Sequence, residues 1–165
     1  MTVINLDIKK VVPETEAELT RVLQAAARAL EERGEPLWPL ETLEPAALRA
    51  AYPKAESYVG FQGGEAVAGM IVLEDDPLFW PDVQVGESLF LHKLAVVPAF
   101  QGSGIASEML RFAENKTRAF GKRYLRLDCA AERPKLCAFY ERHGFRWVGE
   151  CSVEGFGAAL YEKRV

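Results

Sequence analysis

Apolar residues recur along this chain with two periods, and the switches between them mark out its elements. Val3, Ile4, Leu6 and Ile8 make a short, partly alternating run that reads as a first strand. Leu19, Val22, Leu23, Ala26 and Leu30 then return every three or four residues, the stripe of an amphipathic helix. Thr15-Glu16-Ala17-Glu18 ahead of it has the form of a capping box, and Arg33-Gly34 behind it supplies a stop. Glu35 to Leu43, with Pro36, Trp38 and Pro39, reads as a rigid loop, and Glu44 to Ala51 as a short helix halted before Pro53. Ser57 to Phe61 and Ala66 to Leu73 flank Gln62-Gly63-Gly64-Glu65, which predicts two antiparallel strands joined by a glycine hairpin. Glu74-Asp75-Asp76-Pro77 ends the second strand, and a loop containing Phe79, Trp80 and Pro81 comes next.

Ser88 to Val97 is a nearly continuous apolar run, as expected of a central strand. From Gly104 to about Phe120 the helical period returns. Ile105, Ala106, Met109, Leu110, Ala113 and Thr117 lie on one stripe, with Ser107, Glu108, Arg111, Glu114 and Arg118 opposite, and Gly121 is the stop. Tyr124 to Cys129 alternates and is expected to run parallel to the central strand, because a helix crosses over between them. Pro134 opens a helix that places Leu136, Phe139, Tyr140 and His143 on one face and closes at Gly144; Phe145 to Val148 and Phe156 to Tyr161 complete the strands. The order β-α-α-β-β-β-α-β-α-β-β predicts a mixed α/β (α+β) sheet with helices packed on its faces. No internal repeat interrupts it.

Composition narrows the function classes. With 165 residues, 49% of them apolar, the chain suits one domain over residues 1–165 with its own core. A net charge of −4 argues against a nucleic-acid or membrane surface and is compatible with a cationic substrate. Cys129, Cys137 and Cys151 form no Cys-x-x-Cys pair, so neither a disulfide framework nor a metal site is expected. The first residues carry no basic-then-apolar leader and no stretch reaches membrane-spanning length, so a soluble, cytoplasmic protein is expected.

Candidate chemistry concentrates where the central strand meets the helix after it. Gly102 and Gly104 let the backbone adopt positive φ and let an anion approach its N–H groups, and the first turn of the helix offers further N–H donors and a positive dipole end. No Gly-Lys-Ser/Thr ends this turn, which sets it apart from a P-loop, and the dinucleotide fingerprint needs a third glycine. Gln101 to Ala106 reads Gln-x-x-Gly-x-Ala. This resembles the pyrophosphate-binding signature of the GNAT superfamily of acyl-CoA N-acyltransferases. One crossover later, Tyr140-Glu141-Arg142-His143-Gly144-Phe145 is similar to the Tyr-x-x-x-Gly-Phe ending that comes after the acetyl-CoA site in many of these enzymes.

The resemblance implies a central mixed, mostly antiparallel sheet of about seven strands flanked by about four helices, with acetyl-CoA as cofactor. It implies backbone groups of Leu94, Ala95 and Val96 along the pantetheine arm, with the Leu94 N–H near the thioester carbonyl. Gln101, Gly102, Ser103, Gly104, Ile105 and Ala106 would hold the pyrophosphate, and Tyr140 would lie near the sulfur. Where many members carry a cofactor-contacting asparagine, this chain has Arg133, a cation that can still meet the cofactor. Leu91 to Val96 also resembles the strand of serotonin N-acetyltransferase whose histidines are implicated in proton removal. The acceptor implied is a primary amine on a small molecule or peptide, and family members often pair through their sheets.

Acyl transfer to an amine needs a base, a stabiliser for the carbonyl oxygen and a proton for the thiolate. His92 is the first candidate base, with an ordinary pKa of about 6.5. Glu74, Asp75, Asp76 and Glu87 are the alternatives; the first three read as a solvated turn, with a rim that attracts an amine as the sharper alternative. A fixed N–H such as that of Leu94 suits the oxyanion. Tyr140, with an ordinary pKa of about 10, suits the thiolate, although packing beside Leu136 and Phe139 would also account for it. Neither Cys129 nor Cys137 has a histidine and acid that can be placed beside it, which favours direct transfer over an acyl-cysteine. Trp38, the short helix and the Phe79-Trp80 loop would border the acceptor. A CoA-binding sensor without transferase activity is the alternative function.

Overall fold

The structure is a computed structural model that describes residues 4–165. Its strands form one seven-stranded sheet in the order β1-β2-β3-β4-β5-β7-β6, where β1 is Asp7–Lys10, β2 Glu56–Gln62, β3 Glu65–Leu73, β4 Ser88–Val96, β5 Tyr124–Ala130, β6 Arg146–Val153 and β7 Phe156–Arg164. Four helices accompany it: α1 Glu16–Glu32, α2 Pro45–Ala51, α3 Ile105–Ala119 and α4 Pro134–Arg142. The element order is the one the apolar pattern predicts. Among the described residues no helix is long and apolar enough to cross a membrane.

The chain divides into two compact units, each assembled from two stretches. The first holds the chain up to Ile71 together with Lys93–Phe112; the second holds Val72–His92 together with Ala113–Val165. In the first unit β1 pairs antiparallel with β2, Asp7 opposite Phe61 and Lys10 opposite Tyr58. Gly63 and Gly64, both at positive φ (59° and 82°), turn β2 into β3 as a glycine hairpin requires. Helix α1 buries Leu19, Val22, Leu23 and Ala26, with Leu30 half-buried at its end. It lies so near β3 that a Cβ on Gly69 would stand 2.7 Å from Leu19 Cδ1. The helix stops where expected: Gly34 is at φ 76°, its N–H bonds to Glu31 O at 3.0 Å, and the Glu35 N–H bonds to Leu30 O at 2.9 Å.

Two local expectations fail in this unit. The first strand begins at Asp7, so Ile4 and Leu6 precede it, and Val3 lies outside the described residues. Leu6 serves packing instead, its methyl groups 3.1 and 3.3 Å from where a Cβ on Gly60 would stand. The capping box does not form. The Thr15 hydroxyl accepts the Val12 N–H at 2.9 Å and donates to Val12 O at 3.1 Å, closing a short turn over Pro13–Thr15, and so makes no cap bond to α1.

In the second unit β4 and β5 form the parallel ladder the crossover predicts, from Ser88 opposite Tyr124 to Leu91 opposite Leu127. β5 and β6 each pair antiparallel with β7. Arg126 on β5 is buried, with its guanidinium 2.9 Å from Glu162 and 3.3 Å from Glu87, bonded to the Ser88 hydroxyl, and stacked over Tyr124 at 4.4 Å and Trp80 at 5.4 Å. Burying that cation is tolerable because carboxylates surround it. Glu114, expected on the polar face of α3, is instead buried and ion-paired with Lys163 of β7.

Candidate active site

The end of β4 and the start of α3 form one strand–turn–helix in the first unit. After Leu94, Ala95 and Val96, the Val97 N–H bonds to Val67 O at 2.9 Å, and Pro98–Phe100 makes a single tight turn. Two side chains fasten the glycine turn beyond it. The Gln101 amide donates to Val96 O at 3.1 Å, and the Ser103 hydroxyl donates to Phe100 O. The Gln101 N–H is itself bonded to Pro98 O at 3.2 Å, so both its backbone donor and its side chain are engaged within the turn, and the donors expected for an anion begin at Gly102. Gly102 and Gly104 stand at φ 79° and 87°, the left-handed region expected of this turn. No atom lies within 4 Å of a Cβ built on Gly102, whereas one on Gly104 would stand 2.8 Å from Ile4 Cδ1. The ladder of α3 opens with the Glu108 N–H on Gly104 O at 3.2 Å, so the N–H groups of Ile105 and Ala106 precede it, at the positive end of the helix. Such a turn suits a phosphate.

Immediately before Leu94 the strand is strained. Lys93 has φ 52°, one of two non-glycine residues at positive φ among those described, and its ammonium lies 4.6 Å from the centroid of the Trp38 ring. Trp38 in turn lines a cavity of about 440 Å³ with Ala27, Glu31, Leu40 and Glu41, the loop region expected to border an acceptor.

His92 closes the β4 segment of the second unit, buried and held between two carboxylates. Its Nε2 is 2.8 Å from Asp76 Oδ2, and its Nδ1 is 3.7 Å from Asp128 Oδ1. The three side chains are 9%, 6% and 10% exposed. Asp76 is anchored a second time, its Oδ1 accepting the Phe79 N–H at 3.4 Å, and the Phe79 ring lies 6.1 Å from the imidazole. Of the four carboxylates that could serve as bases, Asp76 is the one brought to His92. Glu74 pairs with Lys122 at 3.6 Å, Glu87 with Arg126, and Asp75 is exposed. Asp76 is thus neither a solvated turn nor a rim. One ligand atom from each of Asp76, His92 and Asp128 falls within 4.8 Å of the others. The two ring nitrogens face different carboxylates, however, which suits proton traffic better than a shared ion.

Tyr140 is buried on α4 with its ring 5.2 Å from Phe139, 5.7 Å from Phe145 and 6.4 Å from Tyr161. Burial, and then the charges of Cys129, Asp128 and Cys137, push its phenol well above the ordinary value. The Cys129 thiol is likewise pushed up, mainly by burial, and stands 3.8 Å from Cys137 Sγ. Arg133 is the N-cap of α4, its carbonyl accepting the N–H groups of Leu136 and Cys137 at 3.1 Å each, and its side chain is half-buried. Asp128 is the site residue that the sequence alone does not single out. Its one signal is an acid within the apolar alternation of β5, at the end where His92 faces it.

A mixed seven-stranded sheet whose central strand runs through a left-handed glycine turn into a helix defines the class of acyl-CoA-dependent acetyltransferases. The acetyltransferase (GNAT) family model matches residues 20–145, and the chain belongs to that family. It is accordingly an acetyltransferase with acetyl-CoA as cosubstrate. It is 30% identical over 159 residues to a protein of Bacillus subtilis (strain 168) named uncharacterized N-acetyltransferase YesJ, covering 92% of this chain and 86% of that one. Its fold is similar to the crystal structure of a GNAT family acetyltransferase from Listeria monocytogenes 4b F2365 (TM-score 0.79, 22% identity, 98% and 96% of the chains). It is also similar to a GNAT family acetyltransferase from Elizabethkingia anophelis with acetyl-CoA bound (TM-score 0.65, 15% identity, 98% and 99%).

Proposed function

We propose that the chain, acting as one domain, moves the acetyl group of acetyl-CoA directly to a primary amine of a small molecule or peptide within a ternary complex. The observation that carries this reading is the turn from Val96 to Ile105, whose two left-handed glycines and helix start present backbone donors to a diphosphate. In the Elizabethkingia anophelis neighbour the same fold carries acetyl-CoA. Three free thiols among the described residues fit a reducing, cytoplasmic setting.

Each step then falls to a group of this chain. Backbone donors from Gly102 to Ala106 hold the pyrophosphate, and those of Leu94, Ala95 and Val96 align the pantetheine arm. The Leu94 N–H meets the negative charge that grows on the carbonyl oxygen, an interaction whose loss elsewhere costs about 3–4 kcal/mol in barrier. His92 removes the proton from the amine. The amine nitrogen attacks the thioester carbon, the C–S bond breaks with its electron pair on sulfur, and the Tyr140 hydroxyl supplies the thiol proton. Arg133 stands at the start of α4, where the family's asparagine contacts the cofactor.

The test is CoA release with polyamines, amino acids, aminoglycosides and peptide N-termini as acceptors. Thiol release that depends on one of these classes supports the reading. Tight CoA binding without release from any of them overturns it in favour of a CoA sensor.

A further inference from the structure

We propose that Cys137 is a modification site for low-molecular-weight disulfides of the oxidised glutathione class, and that Cys129 resolves the adduct into an internal Cys129–Cys137 disulfide. This thiol chemistry lies within the second unit and stands apart from the transferase reading.

A tight turn brings the two sulfurs together. β5 ends at Ala130, the Arg133 N–H bonds to Ala130 O at 3.1 Å, and Pro134 starts α4 at once, so the first turn of the helix folds back beside the strand it has just left. Cys137 occupies that turn. Its N–H bonds to Arg133 O at 3.1 Å, its thiol donates weakly to Ala130 O at 3.9 Å, and its Sγ stands 3.8 Å from Cys129 Sγ. A disulfide bond is about 2.05 Å long, so the sulfurs need a further approach of only about 1.8 Å, within reach of a change of side-chain rotamer. The two differ in access. Cys129 is 6% exposed beneath the helix, whereas Cys137 is half-buried, so a dissolved reagent meets Cys137 first.

Two exchanges complete the reaction. The Cys137 sulfur gives its proton to solvent and attacks one sulfur of oxidised glutathione; that S–S bond breaks with its electron pair on the departing sulfur, which takes up a proton and leaves as glutathione. Cys129 then attacks the Cys137 sulfur of the adduct in the same way, and the second glutathione leaves as a thiol. Two protein thiols are oxidised, one small disulfide is reduced, and two protons are released and two taken up. Burial first, and then the charge of Cys137, push the Cys129 thiol up, and linking Cys137 to an outside sulfur removes the second of these contributions. The first exchange therefore eases the second. Its sulfur is also already held beside its target, which replaces a bimolecular encounter by an intramolecular step.

Cys129 and Cys137 fall in separate tryptic peptides, residues 127–135 and 136–142, because Lys135 lies between them, and Cys151 falls in a third. The full chain, native and reduced, is exposed to oxidised glutathione, its remaining thiols are alkylated with iodoacetamide, and the digest is read by mass spectrometry. The first two peptides are expected to be joined by a disulfide that dithiothreitol reverses, roughly tenfold or more above any link that includes Cys151. Cys129→Ser is expected to trap glutathione on Cys137. Cys137→Ser is expected to leave Cys129 reduced in the native protein and to expose it to glutathione in urea. A brief iodoacetamide pulse on the unaltered native protein is expected to label Cys137 roughly tenfold faster than Cys129, so the order of access is read even if a variant misfolds. Thiols left unreacted, a glutathione adduct on Cys137 that never becomes the internal link, links to Cys151 in equal amount, or a pulse that labels both cysteines alike would overturn the proposal.

Discussion

Tyr140→Phe deletes one hydroxyl from a side chain 6% exposed and keeps the ring that touches Phe139, Phe145 and Tyr161. Packing therefore survives. A lost buried hydrogen-bonding group is worth about 1 kcal/mol, so the melting temperature should drop by only about 2–4 °C. The kinetic effect is larger. A positioned acid contributes about 10²- to 10⁴-fold, but this phenol sits above its ordinary value of about 10, whereas a thiol leaving group sits near about 8.5. An acid weaker than the group it protonates belongs at the low end, so kcat should fall about 10²-fold at pH 7, or about 2.7 kcal/mol. The raised value also fixes the sign of the pH dependence. The phenol stays protonated from pH 6.5 to 9.5, so Tyr140 adds no alkaline fall to the unaltered enzyme. The defect of the variant should narrow above about pH 8.5, where the free thiolate no longer needs a proton. Steady-state CoA release across that range, at saturating amine, gives both numbers. A kcat within threefold of the unaltered enzyme at pH 7, or a loss carried by the KM for acetyl-CoA, would remove Tyr140 from the chemistry.

Three further outcomes rest on named contacts. Gly104→Val places a side chain at φ 87° and 2.8 Å from Ile4 Cδ1, which should cost about 1–2 kcal/mol from backbone conformation alone; the Kd for CoA by calorimetry should rise at least tenfold, and an unchanged Kd would mean the diphosphate binds elsewhere. Arg126→Met takes away the cation shared by Glu87 and Glu162, leaving Glu162 only the exposed Arg146 at 2.8 Å, and should lower the unfolding free energy in urea by about 3 kcal/mol, the low end for breaking a buried pair, whereas a change below about 1 kcal/mol would show the cluster to be dispensable. Tyr58, Tyr140 and Tyr161 are all pushed up, chiefly by burial, with Glu56 and Glu141 adding to the first and last. Because the folded state favours their neutral form, stability should hold below about pH 10 and then fall by about 1.4 kcal/mol per pH unit for each tyrosine. Tyrosinate absorbance equivalent to all five tyrosines of the chain, developed while the protein stays folded, would contradict this.

Periodic apolar stretches were legible from the chain alone, and so were glycines at positive φ. The stripe of α1, the Gly63-Gly64 hairpin, the stops at Gly34 and Gly121 and the parallel pairing of β4 with β5 all arise from local patterns with few competing solutions. What was not legible depends on distant partners. Thr15 turns back to Val12, a choice that a capping sequence cannot anticipate. Glu114 and Arg126 look like surface charges until β7 supplies Lys163 and Glu162. The candidate site divides in the same way. The glycine turn is a property of consecutive residues. The carboxylates around His92 come from the loop after β3 and from β5, and nothing near His92 in the sequence announces Asp128.

The division of the chain into two interleaved units also orders the events of synthesis. A nascent polypeptide that has emerged as far as Phe112 already contains every residue of the first unit, while the second still lacks Ala113–Val165. Leu89, Phe90 and Leu91, buried in the finished protein, leave the ribosome well before the β5 residues that pair with them. During that interval the strand has its β3 neighbour but an open edge where β5 will dock, and the speed of translation across α3 sets how long that edge waits.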